Sequence, residues 1–165
     1  MPVIELLQRH HDRASFDCGR ASLNEFLCRY ARQHADRDAG VTHVAVTESG
    51  SKRIMGYYTL VTRTVEGSVI PISGLPPGPI GAVLLGRLAV DRAFQGQGLG
   101  RLFLLRAIRQ TEEASRSIGI YALVLDAIDE EARQWYLELN WGFQPLLDHP
   151  NHLFLPIGTI RQLSL

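Results

Sequence analysis

Apolar positions in this chain fall into two alternating periods. From Ser22 to Asp38, Leu23, Phe26, Leu27, Tyr30 and Ala31 recur at spacings of three and four, the repeat of a helix with one buried face. Ser22, with Glu25 three residues on, has the form of a capping box at its start. Val41 to Thr47 alternates as a half-buried strand does. The β-branched and aromatic stretch from Ile54 to Val65, through Gly56-Tyr57-Tyr58-Thr59-Leu60, predicts a second strand. Three prolines between Ser73 and Pro79 remove donors that a helix or ladder would use, so this segment is read as a connecting loop.

Ile80 to Val90 then predicts a buried strand. The helix behind it, Arg101 to Arg116, buries Leu102, Leu105 and Ile108 and ends near Gly119. Ala122-Leu123-Val124-Leu125 is continuously apolar, as expected of a central strand covered on both faces. Asp129 to Leu139 predicts a short helix with Asp129 as N-cap. Gly142-Phe143 opens another strand, and Leu153 to Ile157 closes the sheet. One helix, several strands, and then alternating strands and helices predict a mixed α/β sandwich. At 165 residues, the whole chain, 1–165, is expected to form a single domain.

Charge changes this picture little. Seventeen cations balance seventeen carboxylates, which removes any net-charge argument for a polyanionic partner. Lys52 is the only lysine among them, a bias that suits phosphate recognition and that a GC-rich genome explains equally well. Cys18 and Cys28 are the only cysteines, and Met1 to Asp12 is short and of mixed charge rather than a secretory segment. No stretch approaches membrane-spanning length, so a cytoplasmic protein with reduced thiols and no membrane association is expected. His149 and His152 have metal-ligand spacing, but Pro150 between them and the want of a third ligand favour a solvated turn; no metal is expected.

The chemistry concentrates at Gln95-Gly96-Gln97-Gly98-Leu99-Gly100, between the strand ending Leu88-Ala89-Val90-Asp91 and the helix from Arg101. Three glycines at a strand-to-helix junction allow close approach to the main chain. The helix start adds unpaired N–H groups and a positive dipole end. Together these form a pyrophosphate cradle that needs no lysine. The arrangement is not a Rossmann fingerprint, because the loop lies past mid-chain and the nearest acids, Glu112 and Glu113, are in the same helix. Nor is it a P-loop, since Arg101-Leu102 stands where Lys-Ser/Thr is required.

These residues resemble the GNAT acyltransferase family. Gln95, Gly98 and Gly100 match its Q/R-x-x-G-x-G/A loop, and Tyr136 followed by Asn140-Trp141-Gly142-Phe143 matches its later tyrosine and N-x-G-F turn. Within the family the N-terminal half is similar to the toxins of bacterial toxin–antitoxin modules, through Phe16-Asp17-Cys18-Gly19, Leu23-Asn24-Glu25-Phe26-Leu27 and Leu85-Gly86-Arg87-Leu88-Ala89-Val90-Asp91. The resemblance implies a mixed, mostly antiparallel central sheet, splayed at the cofactor site and flanked by helices. It implies acetyl-coenzyme A as cosubstrate, held by the main chain of Leu88, Ala89 and Val90 and by Gln95, Gly96, Gln97, Gly98, Leu99, Gly100 and Arg101. It further implies acetylation of the α-amino group of aminoacyl-tRNA, a block of translation, a ribbon–helix–helix antitoxin and a homodimer.

The residues themselves set what such chemistry requires. An α-amino group has a pKa of about 7.7–8.0, against about 10.4 for lysine, and an ester lowers it further. A strong base is therefore dispensable, and Asp91 is the only acid next to the cradle strand. Tyr136 is the candidate general acid toward a leaving thiolate. Its alternative is a core tyrosine whose hydroxyl caps a backbone group. Candidate RNA contacts are Arg29, Arg32, Arg87 and Arg92, with Arg92 and Arg101 also available to coenzyme phosphates. Two further readings stand beside the toxin: a GNAT enzyme acting on a small amine or a protein N-terminus, and a non-catalytic acyl-CoA sensor.

Overall fold

In the computed structural model, which describes residues 1–164, seven strands follow the order β1-β2-β3-β4-β5-β7-β6 in one sheet. They are β1 (Val3–Leu6), β2 (Val41–Val46), β3 (Gly56–Glu66), β4 (Pro79–Val90), β5 (Ala122–Asp126), β6 (Gln144–Pro145) and β7 (His152–Pro156). The pairs β1–β2, β2–β3, β5–β7 and β6–β7 are antiparallel, and β4–β5 is parallel. The expected mixed, mostly antiparallel architecture is thus observed. Two compact units share its strands: residues 1–61 with 86–106, and residues 62–85 with 107 onward.

In the first unit a helical segment departs from its sequence pattern. It starts at Ala21, not Ser22, with Arg20 at the N-cap and no side-chain cap, so the predicted capping box is absent. It also changes pitch. α1 (Ala21–Glu25) passes into a π-helical turn at Phe26–Tyr30 before α2 (Ala31–Asp36). The wider turn lets Arg13 Nη1 reach the Cys28 carbonyl at 3.1 Å. The apolar face predicted for this helix holds in part: Phe26, Leu27 and Ala31 are buried with Phe16, Val44, Val46, Ile54, Tyr57 and Ala89, Leu23 is half-buried, and Tyr30, at the end of the π turn, is exposed. The Tyr57 hydroxyl donates to the Leu23 carbonyl at 2.7 Å, fixing this helix to β3.

The second unit is built around β5, whose four buried residues Ala122–Leu125 lie between β4 and β7. Val65, Ile70, Ala82, Leu146 and Phe154 complete a cluster with Ala122 and Val124. α4 (Glu130–Glu138) starts as read from the sequence, since Asp129 accepts the Ala132 N–H at 2.8 Å. The strand expected from Gly142-Phe143 starts directly after them: β6 is only Gln144–Pro145, and residues 142–143 are irregular. β1 and the short α5 (Ile157–Ile160) have no counterpart in the sequence reading.

α3 (Leu99–Ser115) is shared by both units. Its most buried positions are Phe103, Leu104, Ala107 and Ile108. Leu102 and Leu105 are only half-buried, so the inward face is rotated from the one expected. In the first unit Phe103 packs against Tyr58, with ring centroids 5.3 Å apart, and Tyr58 stacks on His43 at 4.9 Å.

Burial, with Arg106 nearby, holds the His43 pKa below its usual 6.5. Folding therefore favours the neutral ring, and the unfolded chain takes up the proton first on acidification. Stability is expected to be fully present above pH 6.5 and to decline as pH falls below it. Urea midpoints at pH 7.5 and 5.5 test this: the loss should shrink in His43→Leu.

Candidate functional site

β4 outruns its neighbour. Its register with β5 ends at Leu85 opposite Leu125, yet β4 continues to Val90. Over this extension Ala89 turns into the core of the first unit, while Leu88 and Val90 stay half-buried. A short turn at Arg92–Phe94 follows, and then the glycine loop. Gly96 and Gly98 have φ of +78° and +82°, the left-handed region that disfavours side chains. A Cβ built at either would meet no atom within 4 Å, so both face open space. α3 begins at Leu99, and its first intrahelical bond runs from the Leu102 N–H to the Gly98 carbonyl at 3.1 Å. The amides before Leu102 therefore lie at a helix N-terminus beside an open, glycine-lined surface, as an anion cradle requires.

The lead-in to this loop is tied down. Asp91, only 6% exposed, accepts the Asp17 N–H at 3.0 Å on Oδ2 and the Ala93 N–H at 2.9 Å on Oδ1. Each oxygen accepts one N–H, which makes Asp91 a strut between residues 17 and 93. Gln95 Nε2 donates to the Val90 carbonyl at 2.9 Å and to the Cys18 carbonyl at 3.1 Å. Its amide nitrogen thus contacts protein main chain on two sides. The Asp17 carboxylate accepts the Gly19 N–H and Asn24 Nδ2, which hold its pKa below the usual 3.8. Asp17 and Asn24, which form the other side of this network, carry no assigned role in the sequence, although the runs Phe16-Asp17-Cys18-Gly19 and Leu23-Asn24-Glu25-Phe26-Leu27 contain them.

Tyr136 lies in the second unit, on the last turns of α4. Its ring meets Trp135 edge-on at 4.9 Å and Phe143 at 5.7 Å. The 140–143 turn aims Phe143 at it. Asn140 is left-handed (φ +58°), and Gly142 has φ +111° with its would-be Cβ 2.6 Å from Thr159 Cγ2. The phenol is buried, and burial pushes its pKa up, so it holds its proton at any physiological pH. Unlike Tyr57, its hydroxyl makes no hydrogen bond among the described residues. The backbone-capping alternative for Tyr136 therefore lacks its cap.

The candidate arginines differ in their engagements. The Arg87 guanidinium lies 3.7 Å from the centroid of the Phe26 ring, a cation–π contact. Arg92 pairs with Asp17 at 3.6 Å, and Arg29 loosely with Glu25 at 3.7 Å. All four candidates, Arg29, Arg32, Arg87 and Arg92, fall in the first unit. That unit carries twelve arginine and lysine residues against eight carboxylates, whereas the second carries five against nine. The neutrality of the whole chain is the sum of a basic unit and an acidic one.

Two histidine groups resolve as structural. Glu5, His10 and His11 place ligand atoms within 4.8 Å of one another. His11 Nδ1, however, accepts the Gln8 N–H at 2.8 Å, which puts its proton on Nε2, facing Glu5 Oε1 at 2.8 Å. A metal there would have to displace that proton. At the other pair, His149 Nδ1 accepts the Asn151 N–H at 2.9 Å within a turn, as the sequence reading anticipated.

A model of the acetyltransferase (GNAT) family matches residues 5–143. The tRNA-acetylating toxin of Mycobacterium tuberculosis is 34% identical over 154 residues, covering 92% of this chain and 90% of that protein. Among solved structures, AtaT complexed with acetyl-methionyl-tRNAfMet superposes with a TM-score of 0.91 at 31% identity, over 100% of both chains. AtaTR bound with acetyl-CoA gives 0.87 at 32% identity, over 99% of this chain and 98% of that one.

A carboxylate introduced at Gly98 combines a disfavoured φ with like-charge contact to a pyrophosphate, which costs several kcal/mol. Gly98→Asp is expected to weaken coenzyme A binding by about a hundredfold or more in isothermal titration, and Gly98→Ala, which carries the same left-handed strain without the charge, to weaken it less.

Proposed function

The chain belongs to the acetyltransferase (GNAT) family, and from that premise we propose that it transfers acetyl from acetyl-coenzyme A to the α-amino group of aminoacyl-tRNA, blocking translation. The observation that carries this reading is the open glycine loop at the α3 N-terminus next to the extended edge of β4. The likeness to a tRNA-acetylating toxin, and to AtaT with its acetylated tRNA, supports the choice of acceptor.

The coenzyme supplies the acetyl group as a thioester. In the proposed assignment, the amides of Gly96, Gln97, Gly98, Leu99, Gly100 and Arg101 hold its pyrophosphate, and main-chain groups at Leu88, Ala89 and Val90 hold its pantetheine arm. The Val90 carbonyl already accepts from Gln95; in the proposed assignment a main-chain N–H of this stretch polarises the thioester carbonyl. Asp91 is committed to two N–H groups, which agrees with an acceptor amine that needs no strong base. Tyr136, protonated and without a hydrogen-bond partner, donates to the sulfur as the C–S bond breaks.

The basic first unit supports contact with RNA through Arg29, Arg32, Arg87 and Arg92. A ribbon–helix–helix antitoxin that neutralises the enzyme, and a homodimer, complete the proposal. No described helix is long and apolar enough to cross a membrane. Both substrates place the reaction in the cytoplasm.

Tyr136→Phe is expected to lower kcat on charged tRNA by about 10²–10⁴-fold, the usual contribution of a general acid, with acetyl-CoA affinity within about twofold. With the native enzyme, kcat/KM should rise with the ionisation of the acceptor amine and show no fall until well above pH 9. If small amines or peptide N-termini react and charged tRNA does not, the acceptor assignment is wrong. Arg29→Glu combined with Arg32→Glu should raise KM for tRNA and flatten its salt dependence by about one log unit per lost phosphate contact.

A further inference from the structure

We propose that Gln95 and Asp91 are positioning residues. They clasp the lead-in of the glycine loop to the turn at Asp17–Gly19, and so fix the spacing between the β4 edge at 88–90 and the loop amides at 96–100. The proposal rests on the coenzyme reading given above, in which one extended ligand engages both segments.

The loop itself has little to hold it. Nothing lies within 4 Å of a side-chain position at Gly96 or Gly98, so its geometry is set from its two ends. One end is the first turn of α3. The other is residues 91–95, and every described hydrogen bond that leaves this stretch for a distant segment ends on Asp17, Cys18 or Met55. The Asp91 N–H donates to the Met55 carbonyl at 2.8 Å, and the Arg92 N–H to the Asp17 carbonyl at 2.9 Å. Asp91 returns a bond from the Asp17 N–H, and Gln95 spans the Val90 and Cys18 carbonyls. Behind the clasp, Asn24 holds the same turn, accepting the Cys18 N–H at 2.9 Å and donating to Asp17 Oδ1 at 3.0 Å.

The chemistry of each group fits a clasp. A carboxylate as buried as Asp91 is tolerated only where N–H donors compensate for lost water, and two do. A primary amide has two N–H bonds on one nitrogen, so Gln95 alone can tie two carbonyls together. One of those carbonyls belongs to the final residue of β4, the other to the 17–19 turn. A glutamate of the same shape would face both carbonyls with oxygen and force them apart.

The test separates a ligand that spans the two segments from one that touches the loop alone. Binding of acetyl-CoA and of 3′-phospho-ADP, the pyrophosphate-bearing half of coenzyme A, is measured by calorimetry for native protein, Gln95→Leu, Gln95→Glu and Asn24→Ala. Gln95 is exposed, so its variants are expected to fold, and melting temperatures check this. Loss of two hydrogen bonds predicts an acetyl-CoA Kd raised about tenfold in Gln95→Leu and more in Gln95→Glu, with 3′-phospho-ADP within twofold. Asn24→Ala, acting from behind the clasp, should shift acetyl-CoA in the same direction, and KM should move while kcat at saturation stays within about threefold. Equal loss of both ligands would make Gln95 a direct phosphate contact and overturn the proposal, as would unchanged binding of both. If native protein binds neither ligand, the coenzyme reading itself falls.

Discussion

A β-strand that runs past its partner must find another use for its main chain. Between Leu85 and Val90, β4 leaves the parallel register with β5, and the consequences of that departure order the first unit. The strand stays extended because Ala89 is buried in the apolar cluster and because its end is secured through Asp91 and Gln95. A strand edge that runs on beyond its register with β5, while β3 flanks the other side, is a template for another extended chain. Two left-handed glycines and a helix start follow within ten residues. In the proposed assignment the recognition groups are backbone amides, so the site needs few specialised side chains.

Tyr57 and Tyr136 illustrate how environment assigns a role. Tyr57 and Tyr136 are both buried, and burial raises the pKa of each phenol. Tyr57 spends its hydroxyl on the Leu23 carbonyl and works as a fastener. Tyr136 is gripped only through its ring, by Trp135 and Phe143, which leaves its polar end available. Composition and position cannot separate these cases; the hydrogen-bond partner does.

What was legible in the sequence was what depends on short range. Asp129 capping α4, the apolar run of β5 and the loop that Pro76 and Pro77 impose before β4 follow their sequence patterns, because each is fixed by chemistry within a few residues. The errors lie where tertiary contacts intervene. Ser22 lost the cap because the helix starts one residue earlier, and the π turn at Phe26–Tyr30 has no compositional mark. α3 turned Phe103 and Leu104 inward because Phe103 meets Tyr58, a partner 45 residues away. The likeness in Gln95 was found, but not its two carbonyl partners, one of which is 77 residues distant. The charge partition escaped notice because the basic unit is discontinuous, assembled from residues 1–61 and 86–106.

That partition governs how the molecule behaves in solution. With a pI near 7.0, the chain has no global repulsion at neutral pH, yet its units carry opposite excesses of charge. In dilute buffer such an ampholyte is expected to attract its own copies, cationic side chains to carboxylates, and to lose solubility. Added electrolyte screens that attraction within about 10 Å at 0.1 M and restores dispersal. Salting-in follows from a molecule whose formal charge is zero only as an average.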